Sequence, residues 1–156
     1  MQLYFLRHAE AEGHHRDDYY RELTARGHQR TETAGKVMKR LAIAPTHIFS
    51  SPRIRARQTA DIVAKILGIP VEERSEVDFG FNAQHVGALT SNLSSTDSIL
   101  FVGHNPSMSS VVNDLCGADV NMKKGGLARI DLYTRKPLAG ELLWLITPKV
   151  FDTLDK

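Results

Sequence analysis

Short apolar runs alternate along this chain with stretches whose apolar residues recur at helical spacing. Residues 3–6 (Leu-Tyr-Phe-Leu) form an unbroken apolar run, the pattern of a strand covered on both faces. After a polar loop over residues 10–21, Ala34, Val37, Met38 and Leu41 mark one face of a helix that Thr24 is placed to cap. Residues 46–50 predict a second strand. Ala56, Thr59, Ala60, Val63, Ile66 and Leu67 then predict an amphipathic helix, stopped at Gly68 and Pro70. Residues 71–73 predict a minor strand, residues 84–93 a short helix and residues 99–102 a third strong strand. Another helix follows from Met108, Val111, Val112 and Leu115. Residues 127–133 and 142–146 predict two strands joined by a turn over residues 137–140.

Strand–helix alternation of this kind predicts an α/β sandwich with a mainly parallel sheet. The last two strands have only a short connection, so one of them is expected to run antiparallel to its neighbour. No repeat, low-complexity tract or long linker interrupts the 156 residues, and a single domain over residues 1–156 is expected. In open sheets of this class, ligands bind beyond the carboxyl ends of the strands. Three junctions there carry chemistry.

The first strand ends in Arg7-His8, and the second ends in Ser50-Ser51-Pro52 and leads into Arg53, Arg55 and Arg57. The third ends in Gly103-His104-Asn105-Pro106. Parallel neighbouring strands would bring two histidines and at least one arginine to one rim. Ser51 and Asn105 suit N-cap positions, with Pro52 and Pro106 then first in their helices, where a missing N–H costs nothing. Arginines in a first helical turn oppose the macrodipole unless an anion compensates, and a phosphate meets that demand. On an ideal helix Arg53 and Arg55 project about 200° apart, with Arg57 about 40° from Arg53. The three cannot grip one small anion, and spacing alone leaves either side open.

Taken singly, each feature has an ordinary explanation: a strand exit for Arg7-His8, a core or capping role for His104, a solvated face for the arginines. Their conjunction after three strands points to chemistry. His14 and His15 lie in the polar loop without a third ligand at metal spacing, His28 sits on a polar helix face, and His47 and His85 fall at element ends. No His-x-x-x-His or Cys-x-x-Cys pair, phosphate-binding lysine loop or dinucleotide glycine motif occurs, which argues against zinc and nucleotides. Cys116 is the only cysteine, which excludes an intrachain disulfide, and its apolar helix suggests a half-buried structural thiol. A net charge of +2 is too small to imply a nucleic acid or a membrane as partner. The sequence starts without a basic signal-peptide region and contains no run of bilayer length, so a cytoplasmic location is expected.

Leu6-Arg7-His8-Ala9-Glu10 resembles the Arg-His-Gly signature of the histidine phosphatase superfamily, also called phosphoglycerate mutase-like. Residues 51–59 (Ser-Pro-Arg-Ile-Arg-Ala-Arg-Gln-Thr) resemble its Ser-Pro-x-x-Arg-Ala-x-Gln-Thr element, and Gly103-His104-Asn105-Pro106 its second histidine motif. The resemblance favours Arg55 among the three arginines. It implies a three-layer α/β/α sandwich with a mostly parallel sheet of about six strands, one of them antiparallel. The short chain and residues 18–27 are similar to the SixA-type phosphohistidine phosphatases, compact members that act on histidine-phosphorylated signalling domains. Ala9 departs from the usual glycine, and His14 falls where mutases usually carry asparagine, which weakens a mutase reading.

What the resemblance implies is a metal-independent phosphatase with no cofactor. Neutral His8 would attack phosphorus, Arg7 and Arg55 would bind the equatorial oxygens, and His104, protonated in the complex, would add a third charged donor. Glu76 and Asp78 are the candidate proton donors, though neither sits in a recognisable motif. Expelling imidazole from phosphohistidine needs less acid assistance than expelling an alkoxide, so a missing acid would suit an N–P substrate. The expected partner is a histidine-phosphorylated protein or a small phosphorylated metabolite. Two other functions stay open: a phosphatase for sugar phosphates or nucleotides, and a phosphate-recognition module without turnover.

Overall fold

The computed structural model describes residues 1–13 and 17–156, so His14 and His15 lie outside the described residues. The first apolar run becomes β1 (Gln2–Arg7), in which Leu3, Tyr4, Phe5 and Leu6 are all buried. Side chains alternate across a strand, so Leu3 and Phe5 enter one apolar cluster while Tyr4 and Leu6 enter another. β4 (Ser98–Gly103) divides in the same way, Ile99 and Phe101 against Leu100 and Val102. Two covered faces explain why these runs are continuous rather than alternating.

The sheet has the order β3-β2-β4-β1-β5-β6, with β2 at His47–Ser50, β3 at Val71–Glu73, β5 at Leu127–Arg135 and β6 at Leu138–Ile146. Pairing is parallel from β3 through β1, whereas β5 is antiparallel to both β1 and β6. The hairpin is longer than its sequence suggests, for residues 138–140 belong to β6 rather than to a turn. Arg135 donates to the carbonyls of Leu93 (2.9 Å) and Thr90, which holds β5 extended past Tyr133.

Helices α1 (Ala25–Arg40), α2 (Ile54–Leu67) and α5 (Pro148–Leu154) pack on one face. The other is covered by α3 (Ala83–Thr90) and α4 (Ser107–Cys116), which completes a three-layer α/β/α sandwich. The sequence pattern gives no sign of α5, because its 7 residues offer little periodicity and are anchored by Phe151 and Pro148. The half-buried Cys116 thiol donates to the Val112 carbonyl at 3.1 Å.

Thr24 caps α1 as expected, accepting from the Gly27 N–H at 3.0 Å, and Gly68 ends α2 in the left-handed region. The other two helix starts need correction. α2 begins at Ile54 with Arg53 in the cap position, and α4 begins at Ser107 with Pro106 there. A turn precedes each helix. Ser51 Oγ accepts from the Arg53 N–H at 3.3 Å, while Asn105 Oδ1 accepts from the N–H and hydroxyl of Ser109 at 3.3 and 2.9 Å. Arg53 therefore lies outside the regular helix, and the 200° separation from Arg55 does not apply to it.

Candidate active site

The parallel pairing of β2, β4 and β1 brings their carboxyl ends to one rim, as the sequence predicts. His8 leaves β1 with its backbone N–H bonded to the Gly103 carbonyl at 2.9 Å, so the first and third junctions are tied directly. The His8 and His104 rings stand 5.3 Å apart, centre to centre. Gly103, just before His104, is packed too closely for a side chain: a Cβ there would fall 2.9 Å from the Val77 carbonyl and 2.6 Å from the Met108 methyl.

His8 is buried, and its two nitrogens have distinct tasks. Nδ1 lies 2.7 Å from the Ala9 carbonyl, which can only accept, so the ring proton is on Nδ1. Arg55 Nε donates to Nε2 at 3.3 Å, which marks Nε2 as the lone-pair nitrogen. Burial pushes the His8 pKa down to about 3; the Ala9 carbonyl opposes this, while His104, Arg55 and Arg7 add to it. The sequence-based view, resting on an unperturbed imidazole, understates how firmly this ring is held neutral.

His104 is also buried, with Nε2 2.7 Å from Ser51 Oγ and 3.6 Å from Asp78 Oδ1. Its Nδ1 is buried without a hydrogen bond among the described residues. Burial lowers its pKa to about 4, with Arg55 and Arg53 lowering it further and Asp78 and Asp18 working against them. In the free site both imidazoles are therefore neutral at pH 7. A phosphate dianion would have to be bound before His104 could gain a proton.

Arg55 is 3% exposed, and its guanidinium also donates through Nη1 to the Asp18 carbonyl (2.8 Å) and through Nη2 to Asp18 Oδ2 (3.0 Å). Arg53 belongs to the same cluster. It donates to Asp78 Oδ1 at 2.6 Å and to Asp18 Oδ2 at 3.2 Å, and stacks 3.8 Å over the Phe79 ring. Arg57 faces away, paired with Asp61 and Glu73. Arg7 donates from Nη1 to the Met122 carbonyl at 2.8 Å, and its Nε is buried without a partner among the described residues.

Several residues here escape a reading of spacing. Asp18 bridges Arg55, Arg53 and Arg21 from a short 3-10 turn; the Arg21 hydrogen bond and Arg55, opposed by partial burial, hold its carboxyl below the usual range. Ser51, taken as a helix cap, touches His104 instead. Asp78, rather than Glu76, reaches the cluster; among the described residues no hydrogen bond or ion pair joins Glu76 to it. Thr59 Oγ1 accepts from the Ala9 N–H at 3.2 Å and donates to the Arg55 carbonyl at 2.8 Å, and Gln58 Oε1 accepts from the Leu23 N–H at 2.8 Å. The Gln-Thr pair thus fastens α2 to both ends of the connection between β1 and α1. Among the described residues, no three His, Cys, Asp or Glu side chains group as a metal ion would require.

Residues 3–83, just over half of the chain, match the family model of the histidine phosphatase superfamily (branch 1). The chain belongs to that superfamily. An uncharacterized protein of Picosynechococcus sp. (strain ATCC 27264 / PCC 7002 / PR-6) is 29% identical over 168 residues, covering 96% of this chain and 98% of its own. This histidine phosphatase shares its fold with the protein histidine phosphatase SixA complexed with tungstate, at a TM-score of 0.86, 24% identity and coverage of 96% and 98% of the two chains. A putative phosphohistidine phosphatase SixA from Agrobacterium tumefaciens gives 0.80 at 24% identity, covering 94% and 98%. A mycobacterial glucosyl-3-phosphoglycerate phosphatase with inorganic phosphate gives 0.73 at 15% identity, covering 96% and 99%. No helix among the described residues is long and apolar enough to cross a membrane.

Proposed function

We propose that this histidine phosphatase removes phosphate from phosphorylated histidine on a protein, by way of a phosphohistidine at its own His8. The observation that carries this reading is the fixed tautomer of His8, whose Nε2 lone pair faces the buried guanidinium of Arg55. A nucleophile toward phosphorus needs that lone pair, and a pure binding site does not. The fold is shared with proteins described as complexed with tungstate and with inorganic phosphate, two tetrahedral oxyanions, which supports phosphoryl binding by this fold.

In the first step an N–P bond forms to His8 Nε2 while the substrate's N–P bond breaks and its imidazole leaves with a proton from solvent. Water then attacks the phosphoryl group, inorganic phosphate departs and His8 recovers its lone pair. Arg55 and Arg7 bind the equatorial oxygens, taking up charge with planar donor pairs. The Asp18 carboxylate oxygen now sits between Arg53 and Arg55, and the incoming phosphoryl oxygens take its place. With the dianion bound, His104 gains a proton and becomes a charged donor. No step requires a metal ion.

One observation favours a second reading, hydrolysis of small phosphoesters: Asp78 stands at the rim, 3.6 Å from His104, where it could pass a proton to an alkoxide leaving group. Profiling the wild type on a phosphohistidine-bearing protein and on small esters, beside His8→Ala, separates the two. Turnover of the protein, an acid-labile phosphoenzyme and a silent His8→Ala variant are expected. An active His8→Ala variant would rule out the nucleophile.

A further inference from the structure

On the far side of β1 from His104, the same rim opens into a cavity of about 520 Å³. Its walls include Arg7, Arg30, Lys123, Lys124 and Lys149, against Glu10 as the only carboxylate among the described residues. Glu10 is already engaged, accepting from the Thr24 hydroxyl at 3.0 Å and lying 3.7 Å from Arg26. Of the five cations, only Arg30 has an ion pair among the described residues, to Asp152 at 3.3 Å. The cavity thus sets five cations against one carboxylate, in a chain whose net charge is only +2.

Exposed lysines are usually solvated and do little. The backbone that carries these is fixed relative to the nucleophile. The Gly125 N–H, next to Lys124, donates to the carbonyls of both Arg7 and His8 at 3.0 Å. Gly125 has a φ of +80°, and a Cβ there would press on Pro148 at 3.2 Å, so the turn seats closely against the start of α5. Lys149 follows in α5. Arg7 joins the two sites: its side chain lines this cavity, its charge acts on His8, and its buried Nε lacks an acceptor among the described residues.

We propose that this cavity is a second anion subsite, which takes acidic side chains flanking the phosphohistidine of a polypeptide substrate. The inference rests on the function proposed above and names what that substrate must present beside its phosphoryl group. Lysines on two separate segments offer mobile point charges over an open mouth. That suits carboxylates at several positions on a protein surface better than one small dianion, which planar guanidinium forks would grip. Complementary charge of this kind speeds encounter and sets register.

The test uses three exposed residues outside the catalytic cluster. A phosphohistidine peptide flanked by glutamates, the same peptide flanked by glutamines, phenyl phosphate and 4-carboxyphenyl phosphate are compared at low salt. Wild type should prefer the glutamate peptide by about tenfold in kcat/KM, chiefly through KM, as expected of a few exposed ion pairs. The Lys123→Ala/Lys124→Ala/Lys149→Ala variant should lose that preference and keep its rates on the glutamine peptide and phenyl phosphate. Equal rates on both peptides in the wild type, or an equal loss on every substrate in the variant, would overturn the proposal. So would a preference confined to 4-carboxyphenyl phosphate, which would assign the cavity to small molecules. Anisotropy binding of the two peptides carrying non-hydrolysable phosphoryltriazolylalanine tests the cavity even if no turnover is found. Tighter, lysine-dependent binding of the glutamate peptide without turnover would uphold the subsite and reject the hydrolytic function.

Discussion

Arg55 and Arg53 both bind Asp18, yet only Arg55 reaches His8. In the proposed mechanism, removing Arg55 deletes a buried donor aimed at the attacking nitrogen and at the oxygens that gain charge. Arg55→Ala should therefore lower kcat/KM by an amount equivalent to about 2–4 kcal/mol. Arg53→Ala removes a guanidinium that holds Asp78 and Asp18, with an expected loss of about 1 kcal/mol. Steady-state kinetics on one substrate compares them, and a larger effect at Arg53 would invert the assignment. The motif around Arg55 made that residue legible in the sequence. Arg53 was not, because its direction depends on where α2 starts, and Ser51 and Arg53 decide that through a turn that helical spacing does not encode.

At the scale of elements, strands were the most legible. β1 and β4 are covered on both faces and so carry unbroken apolar runs, whereas α5 and the 3-10 turn holding Asp18 are too short to show a period. Contacts between elements are where the loop that follows His8 is secured. Thr59 sits at the crossing of α2 with that loop, fully buried, and its hydroxyl serves the Ala9 N–H and the Arg55 carbonyl together. Thr59→Val keeps the volume and strands the Ala9 N–H. A loss of about 1–3 kcal/mol in unfolding free energy is expected, with a fall in kcat as His8 loosens. Urea titration alongside single-turnover kinetics checks both; unchanged stability would mean that the Ala9 N–H finds another acceptor.

The whole molecule holds two imidazoles in a setting that keeps them neutral, and this couples folding to pH. Below about pH 6.5 the unfolded chain protonates both rings. In the folded chain they stay neutral down to about 3 for His8 and about 4 for His104. The unfolded state thus binds more protons, and stability is fully present above about pH 6.5 and lost as pH falls through that window. Each histidine contributes about 1.4 kcal/mol per pH unit. Urea midpoints at pH 7.5 and 5.5 should differ clearly in the wild type and by about half as much in His8→Asn. Equal slopes for the two proteins would mean that His8 is not held neutral.

Taken alone, the sequence determined the alternation of strands and helices, the three strand-end motifs and the identity of His8, Arg7, Arg55 and His104 as candidates, because periodicity and local motifs are properties of neighbours along the chain. Tertiary structure decided which nitrogen of His8 carries the proton, the neutral state of His104, the entry of Asp18, Asp78 and Ser51 into the cluster, and the gathering of lysines beside Arg7. Each of these depends on burial or on groups distant in sequence, and the free energies of charge and hydrogen bonding follow distance in space rather than along the chain.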